Sequence, residues 1–259
     1  MGIKTGIFVN VRLESSRLPE KQLMEIDGKP CLGYLLERLM YAFRESLESG
    51  DAAIVVTSAD TPRNRKLEKF IPEGVGLFFG SEKNIPLRHL EACGAFPKDR
   101  ILCVEGDSIF TAVEAMEAVS LAMEKGAAFA KTTGLPIGMN SFGYTVEILR
   151  DSLTGREDEV IETGWTRIFG EDRTVVVPFD PLREYEGIRA TMDYPQDFVF
   201  FRELIRKLGD RWVRASVPEI VSVIKENRLQ ELNGSLSEEY YRNFHEGMKR
   251  EVEDGKQKD

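Results

Sequence analysis

Four short apolar runs, Ile7-Phe8-Val9, residues 52–57 (AAIVVT), 76–79 (GLFF) and 101–104 (ILCV), are separated by stretches whose apolar residues recur at helical spacing. Runs this short, and apolar without alternation, are strands covered on both faces. Strands alternating with amphipathic helices specify a mainly parallel sheet with helices on both sides, an α/β fold. Between the strands, a helix is expected over 30–48, with Leu32, Leu35, Leu36, Leu39, Met40 and Phe43 inward and Pro30 in its first turn. Residues 23–26 form a possible short strand before a turn at Asp27-Gly28, residues 61–70 a short helix, and residues 86–95 another helix. Such a sheet binds ligands at the carboxyl ends of its strands, so the residues directly after each apolar run are the first to inspect.

The second half is less regular. Helices are expected at 111–125, 158–169, 195–208, 217–226 and 237–251, and strands at 127–131, 142–148, 175–177 and 187–191. No internal repeat or low-complexity linker divides the chain, so residues 1–253 are expected to form one domain, followed by a disordered tail at 254–259 (DGKQKD) without apolar content. No apolar stretch approaches the length of a membrane span, and the start, MGIKTGIFVNV, lacks a signal-peptide core; a cytoplasmic protein is expected. Two histidines leave little room for a histidine metal site or a Ser/His triad, and Cys31, Cys93 and Cys103 lack metal-ligand spacing.

The first strand breaks into a loop reading IFVNVRLESSRLPEKQL from Ile7 to Leu23, with Arg12, Arg17 and Lys21 placed around Ser15 and Ser16. Arginine gives forked hydrogen bonds to phosphate oxygens, serine hydroxyls and free amides add donors, and Pro19 stiffens the loop. A solvated basic loop is the plainer explanation of three cations in ten residues, but its place after the first strand favours a polyanion site. The net charge of −9 argues against nucleic acid, which requires a net basic face; a local basic pocket suits a small anion.

Two acids follow predicted strands. Asp107, after Gly106, either caps the helix starting near Thr111 or binds a cation at the ligand edge of the sheet. Asp193 precedes Tyr194-Pro195-Gln196-Asp197, a helix start that Asp193 or Asp197 could serve; capping is the stronger explanation of Asp197. Two carboxylates plus phosphate oxygens would complete a Mg²⁺ shell, which gives Asp193 a second possible role beside Asp107.

With loop and acids in place, the chain resembles the cytidylyltransferases that make CMP-activated acidic sugars, especially the spore-coat polysaccharide cytidylyltransferase-like family and 3-deoxy-manno-octulosonate cytidylyltransferase, enzymes related to acylneuraminate cytidylyltransferase. The resemblance spans roughly residues 7–233 and is most specific at RLESSRLPEKQLMEIDGKPCLGYLLERL, residues 12–39. It implies a Rossmann-like, three-layer nucleotidyltransferase fold, similar to glycosyltransferase A, with a mixed, mostly parallel sheet. It also implies that Arg12, Ser15, Ser16, Arg17 and Lys21 surround CTP, with Arg12, Arg17 and Lys21 as the catalytic cations. Thr57 and Arg88 would lie near the nucleotide, and Asp107 and Asp193 would hold Mg²⁺. The implied reaction transfers CMP from CTP to an acidic sugar or other small anion in surface polysaccharide or glycoconjugate precursor synthesis, and the implied assembly is a homodimer.

Several positions depart from the family pattern. Glu14 stands where a small residue is usual, Glu20 where Gly precedes the Lys, and Ile109 where a Pro follows the acid; Asn140–Gly143 (NSFG) replaces a Lys-His-Ile-Gly-like run. An inward Glu14 would repel a triphosphate. Two other functions fit the same fold class. A nucleotide-sugar glycosyltransferase could use Glu105-Gly106-Asp107 as its acidic pair, although it needs the cation cluster less. A non-catalytic nucleotide-binding protein would carry Glu14 as a mark of decay.

Overall fold

The computed structural model describes residues 4–256. Strand β1 (Thr5–Asn10) leads through the basic loop and a small hairpin, β2 (Glu25–Ile26) and β3 (Lys29–Pro30), into helices α1 (Cys31–Ala42) and α2 (Arg44–Ser49). Then follow β4 (Ala52–Ala59), β5 (Gly76–Gly80), α3 (Ile85–Ala95), β6 (Arg100–Glu105), α4 (Val113–Glu124), β7 (Phe129–Thr133), β8 (Phe142–Thr145), α5 (Val146–Leu153) and β9 (Thr174–Pro178). Helices α6 (Pro195–Leu208), α7 (Val217–Glu226) and α8 (Ser237–Lys256) complete the described chain.

Seven strands form one sheet in the order β5-β4-β1-β6-β8-β7-β9. β1 is parallel to β4 and β6, with Asn10 level with Thr57 and Glu105, so the carboxyl ends of β1 and β6 meet at one edge while β4 runs two residues further. β8 alone is reversed: it is antiparallel to both β6 and β7, while β9 is parallel to β7. The architecture is the mixed, mostly parallel α/β sheet expected from the sequence.

Alternation along β1 divides the core. Ile7 and Val9 pack with Leu32, Leu35, Leu36 and Leu39 of α1 and with Met116, Val119 and Met123 of α4. Phe8 faces the other layer, with Ala92 of α3, Ile148 and Leu149 of α5, and Trp165 and Phe169. Each such side chain contributes about 1.5–3 kcal/mol on burial, which fixes the register of the strand that carries the basic loop. A third cluster joins Phe200, Phe201 and Leu204 of α6 to Ile220 and Ile224 of α7.

The local departures have visible causes. The helix expected over 30–48 is broken at Phe43, and residues 61–70 tighten into a 3₁₀ turn at Asn64–Lys69. The expected strand 142–148 stops at Thr145, whose hydroxyl accepts from the Ile148 amide and starts α5. The expected helix 158–169 survives only as a 3₁₀ turn at Trp165–Phe169. Its first half is captured by backbone bonds to the segment before α3, Ile161 N to Lys83 O at 2.8 Å and Ile85 N to Ile161 O at 3.1 Å. Residues 187–191 are not a strand but hold a single bridge, between Ile137 and Arg189. The last helix extends to Lys256, into the stretch expected to be a disordered tail; residues 257–259 lie outside the described residues.

Candidate active site

The basic loop is shaped by backbone bonds, and its side chains face a cavity at the strand ends. The Val11 amide donates to Thr57 O (2.9 Å), the Leu13 amide to Asn64 Oδ1 (3.0 Å) and the Glu20 amide to Leu13 O (3.1 Å), which closes the loop on itself. Glu20 has φ +55°, a left-handed conformation that explains the glycine expected here. Arg12, Ser15, Ser16, Arg17 and Lys21 all line a cavity of about 240 Å³. Asp107 and Asp193 line it as well.

Two backbone features bring those acids in. The Gly106 amide donates to Asn10 O at 2.8 Å, and a Cβ on Gly106 would stand 2.7 Å from Val11 Cγ2 and 2.9 Å from Asn10 O, so glycine is required where β6 passes the loop. The Met192 amide donates to Asp107 O at 3.0 Å and ties the two acidic segments together. Neither acid is a helix cap. Helix α4 begins after Ala112 without a side-chain cap, and α6 is capped by Tyr194 with Asp197, whose Oδ2 accepts from the amides of Asp193 and Tyr194 at 2.8 and 2.9 Å. Capping is the role of Asp197, as its position suggested.

Lys21 joins the two acids. Its Nζ lies 2.6 Å from Asp107 Oδ2 and 3.0 Å from Asp193 Oδ1, and the residue is 5% exposed. Burial opposes its charge, yet Asp107 and Asp193 raise its pKa above the ordinary lysine value. Asp193 also accepts from Arg17 at 3.0 Å and from the fully buried Arg189 at 2.8 Å. Burial alone would raise the pKa of Asp193, but Lys21, Arg17 and Arg189 bring it down to about 2, so its carboxylate is ionised at neutral pH.

Arg88 projects from the first turn of α3 and is 2% exposed. It donates to Asn10 Oδ1 (3.1 Å), Ser81 O (2.8 Å) and Glu82 O (3.0 Å) while lining the cavity, and burial lowers its pKa. Thr57 is the sequence candidate that lies outside. It is fully buried, with its hydroxyl 3.2 Å from His89 Nε2, and it does not line the cavity. His89 Nδ1 in turn meets the Tyr144 hydroxyl at 2.5 Å. Burial, with Arg88 nearby, lowers the His89 pKa to about 3, so this trio is a neutral core network.

Sequence reasoning did not assign a role to Asn10, Glu162 or Arg189, and gave Glu105 one only as half of the acidic pair of a glycosyltransferase. Glu105 ends β6 at the cavity wall, accepts from Asn10 Nδ2 at 3.2 Å, and is pushed up to about 7 by burial and by Asp107. Glu162 pairs with Arg12 at 3.0 Å from a segment expected to be helical. For Glu105 the available signal was its place at a strand end; for Glu162 there was none. A second cavity of about 550 Å³ shares Arg12, Arg17, Asp107 and Asp193 with the first and extends over Phe142, Trp165 and Phe244.

Residues 7–149 match the family model for cytidylyltransferase. The chain belongs to the cytidylyltransferase family. It is 25% identical over 246 residues to an uncharacterized protein of Methanocaldococcus jannaschii, covering 92% of this chain and 98% of that one. Its fold is similar to a cytidylyltransferase from Leptospira borgpetersenii serovar Hardjo-bovis, with a TM-score of 0.75, 20% identity, and 90% and 98% of the two chains covered. A CMP:2-keto-3-deoxy-manno-octonic acid synthetase complexed with CTP superimposes with a TM-score of 0.54 at 16% identity, over 78% of this chain and 98% of the other.

In this cytidylyltransferase the two unusual glutamates lie outside both cavities. Glu14 Oε1 accepts from the Thr61 hydroxyl at 2.5 Å, and Glu20 pairs with Arg63 and Lys66 at 3.1 and 2.6 Å. Among the described residues no helix is long and apolar enough to cross a membrane.

Proposed function

We propose that this enzyme transfers CMP from CTP to an acidic sugar or another small anionic acceptor and releases pyrophosphate. The observation that carries the reading is the convergence of Arg12, Arg17, Lys21 and Arg88 with Asp107 and Asp193 on one cavity at the sheet edge. An oxygen of the acceptor forms a bond to the α-phosphorus while the α–β bridging P–O bond breaks, and pyrophosphate departs with that electron pair. No side chain is needed to remove a proton when the attacking oxygen is already an anion; a hydroxyl acceptor releases its proton to solvent.

The residues present fit a divalent cation. Asp107 and Asp193 both reach one cationic atom, Lys21 Nζ, and as two oxygen donors they leave the remaining positions to phosphates and water. Among the described residues no cluster of three or more acidic, histidine or cysteine groups is arranged for a metal. Mg²⁺ bound there would offset charge on the triphosphate and on the departing pyrophosphate. Arg12 and Arg17 orient phosphate oxygens with their planar forks, and Arg88 holds the floor rigid through Asn10 and two carbonyls.

Calorimetric titration of CTP with Mg²⁺ tests the assignment. CTP is expected to bind more tightly than ATP, GTP and UTP, and Arg17→Ala to weaken it by roughly 10–100-fold, the equivalent of about 1.5–3 kcal/mol for a charged hydrogen bond. Unchanged affinity in Arg17→Ala removes the loop from the site.

A further inference from the structure

Glu162 reaches Arg12 from a segment that this contact cannot hold in place. The pair is open to solvent, with the Arg12 side chain 51% and that of Glu162 27% exposed, and an exposed ion pair is too weak to fix a loop. Asn84 and the Ile161 bonds to Lys83 and Ile85 anchor the first half of the segment. Glu162 and Thr163, which line both cavities, are anchored instead from α8. Glu251 Oε1 accepts from the Thr163 amide at 2.7 Å, and Oε2 accepts from the Glu162 amide at 3.3 Å and from Arg167 Nη2 at 3.1 Å. Arg167 Nη1 in turn donates to the Thr163 carbonyl, so the ion pair encloses that residue's backbone from both sides. The approach is close: a Cβ on Gly247 would stand 3.2 Å from Thr163 Cγ2, and one on Gly164 would stand 2.8 Å from Met248 Sδ. The Glu251 side chain is only 11% exposed, yet no described residue of α8 belongs to the three buried clusters. Its carboxylate is therefore spent on the wall of the site and not on the core.

We infer that Glu251 is a positioning residue for nucleotide binding: by fixing the Glu162 and Thr163 amides it sets the place from which Glu162 holds Arg12. Arg12 uses only Nη1 on Glu162, so Nε and Nη2 stay free to meet phosphate oxygens while the side chain is held. A guanidinium held in advance gives up less rotamer freedom when the nucleotide arrives. The inference rests on the proposed use of Arg12 on CTP and extends it to a residue that lines neither cavity. Charge alone argues for the opposite sign. Removing a carboxylate near a site for a polyanion would tighten CTP binding, whereas loss of positioning weakens it, so direction separates the two effects.

Glu251→Gln keeps the shape but turns one acceptor oxygen toward its donors as a donor itself. The test is calorimetry of CTP with Mg²⁺ on the full chain as wild type, Glu251→Gln, Glu162→Ala and the double variant, with hydrogen exchange followed in the first two. Glu251→Gln is expected to bind CTP roughly three- to tenfold more weakly, the loss from releasing one long side chain. Exchange should quicken over residues 161–166 while β1 and β6 keep their protection. In the Glu162→Ala background the same substitution should change CTP affinity less than twofold, because the link to Arg12 is already cut. A loss that persists in that background overturns the inference, as does protection lost in β1 and β6 as well, which would make Glu251 a residue of the fold. Absence of CTP binding in wild type removes the proposed transfer and this inference with it; CTP binding that Glu251→Gln leaves unchanged or tightens removes this inference alone.

Discussion

Replacing Glu105 by Gln should stabilise the metal-free enzyme at alkaline pH and much less in mild acid. Burial and the neighbouring Asp107 raise the Glu105 carboxyl from 4.5 to about 7. Between those values the folded state holds a proton that the unfolded chain has lost, so stability rises as pH falls through this window. Conversely, keeping the ionised carboxylate folded at pH 8 is costly. At 1.36 kcal/mol per pKa unit the full shift corresponds to about 3 kcal/mol. Glu105 borders a cavity that admits water, which screens part of the penalty, so a gain of about 1–3 kcal/mol is expected. Gln keeps the shape and can still accept the 3.2 Å bond from Asn10 Nδ2. Urea unfolding at pH 5 and pH 8 with chelator present measures the difference. His89 titrates in the opposite sense, because its lowered pKa makes the fold lose stability as pH falls below 6.5, but it is common to both proteins and cancels. An advantage of equal size at both pH values, or none at pH 8, refutes the argument. A stabilising change at a cavity wall is what a site kept for function at some expense of stability would show.

Asp107→Asn and Asp193→Asn should each abolish Mg²⁺-dependent pyrophosphate release while CTP-induced thermal stabilisation is reduced; full activity in either removes that residue. Arg189→Met should destabilise the fold by about 3–5 kcal/mol in urea unfolding at pH 7, since it strands the buried Asp193 and Asp197 carboxylates without their shared partner. Glu14→Gly should leave CTP affinity within twofold, because Glu14 bonds to Thr61 and lines neither cavity; gain of binding from none would revive the reading of a decayed site.

The fold was legible where one physical signal dominated. The apolar runs of β1, β4, β5 and β6 needed no partner to be recognised as strands, and their alternation with helices fixed the parallel half of the sheet. The signal failed where tertiary bonds decide. Nothing local shows that residues 156–164 give up helical bonds to embrace the Asn84 side chain, whose Nδ2 donates to the carbonyls of Arg156, Glu157 and Glu159 at 3.0–3.3 Å. That loop carries Glu162 to Arg12, so an error in secondary structure became a missed residue of the site.

Glu14 shows the same limit from the other side. Its charge and position in the loop suggested repulsion of phosphate, and a cation count along the sequence offered no way to decide where the carboxylate pointed. The direction is set by distant residues: Asn64 Oδ1 holds the Leu13 amide, Leu13 is buried, and Thr61 receives Glu14 Oε1 away from both cavities, where Glu14 Oε2 is buried without a partner among the described residues. Glu20 likewise turns outward to Arg63 and Lys66, at a backbone angle that glycine would adopt more readily. Both departures therefore tie the back of the loop to the segment after β4, and the front is left to Arg12, Arg17 and Lys21. An acidic residue in a basic loop is kept away from the cavity when the loop has two sides and the acid bonds on the far one.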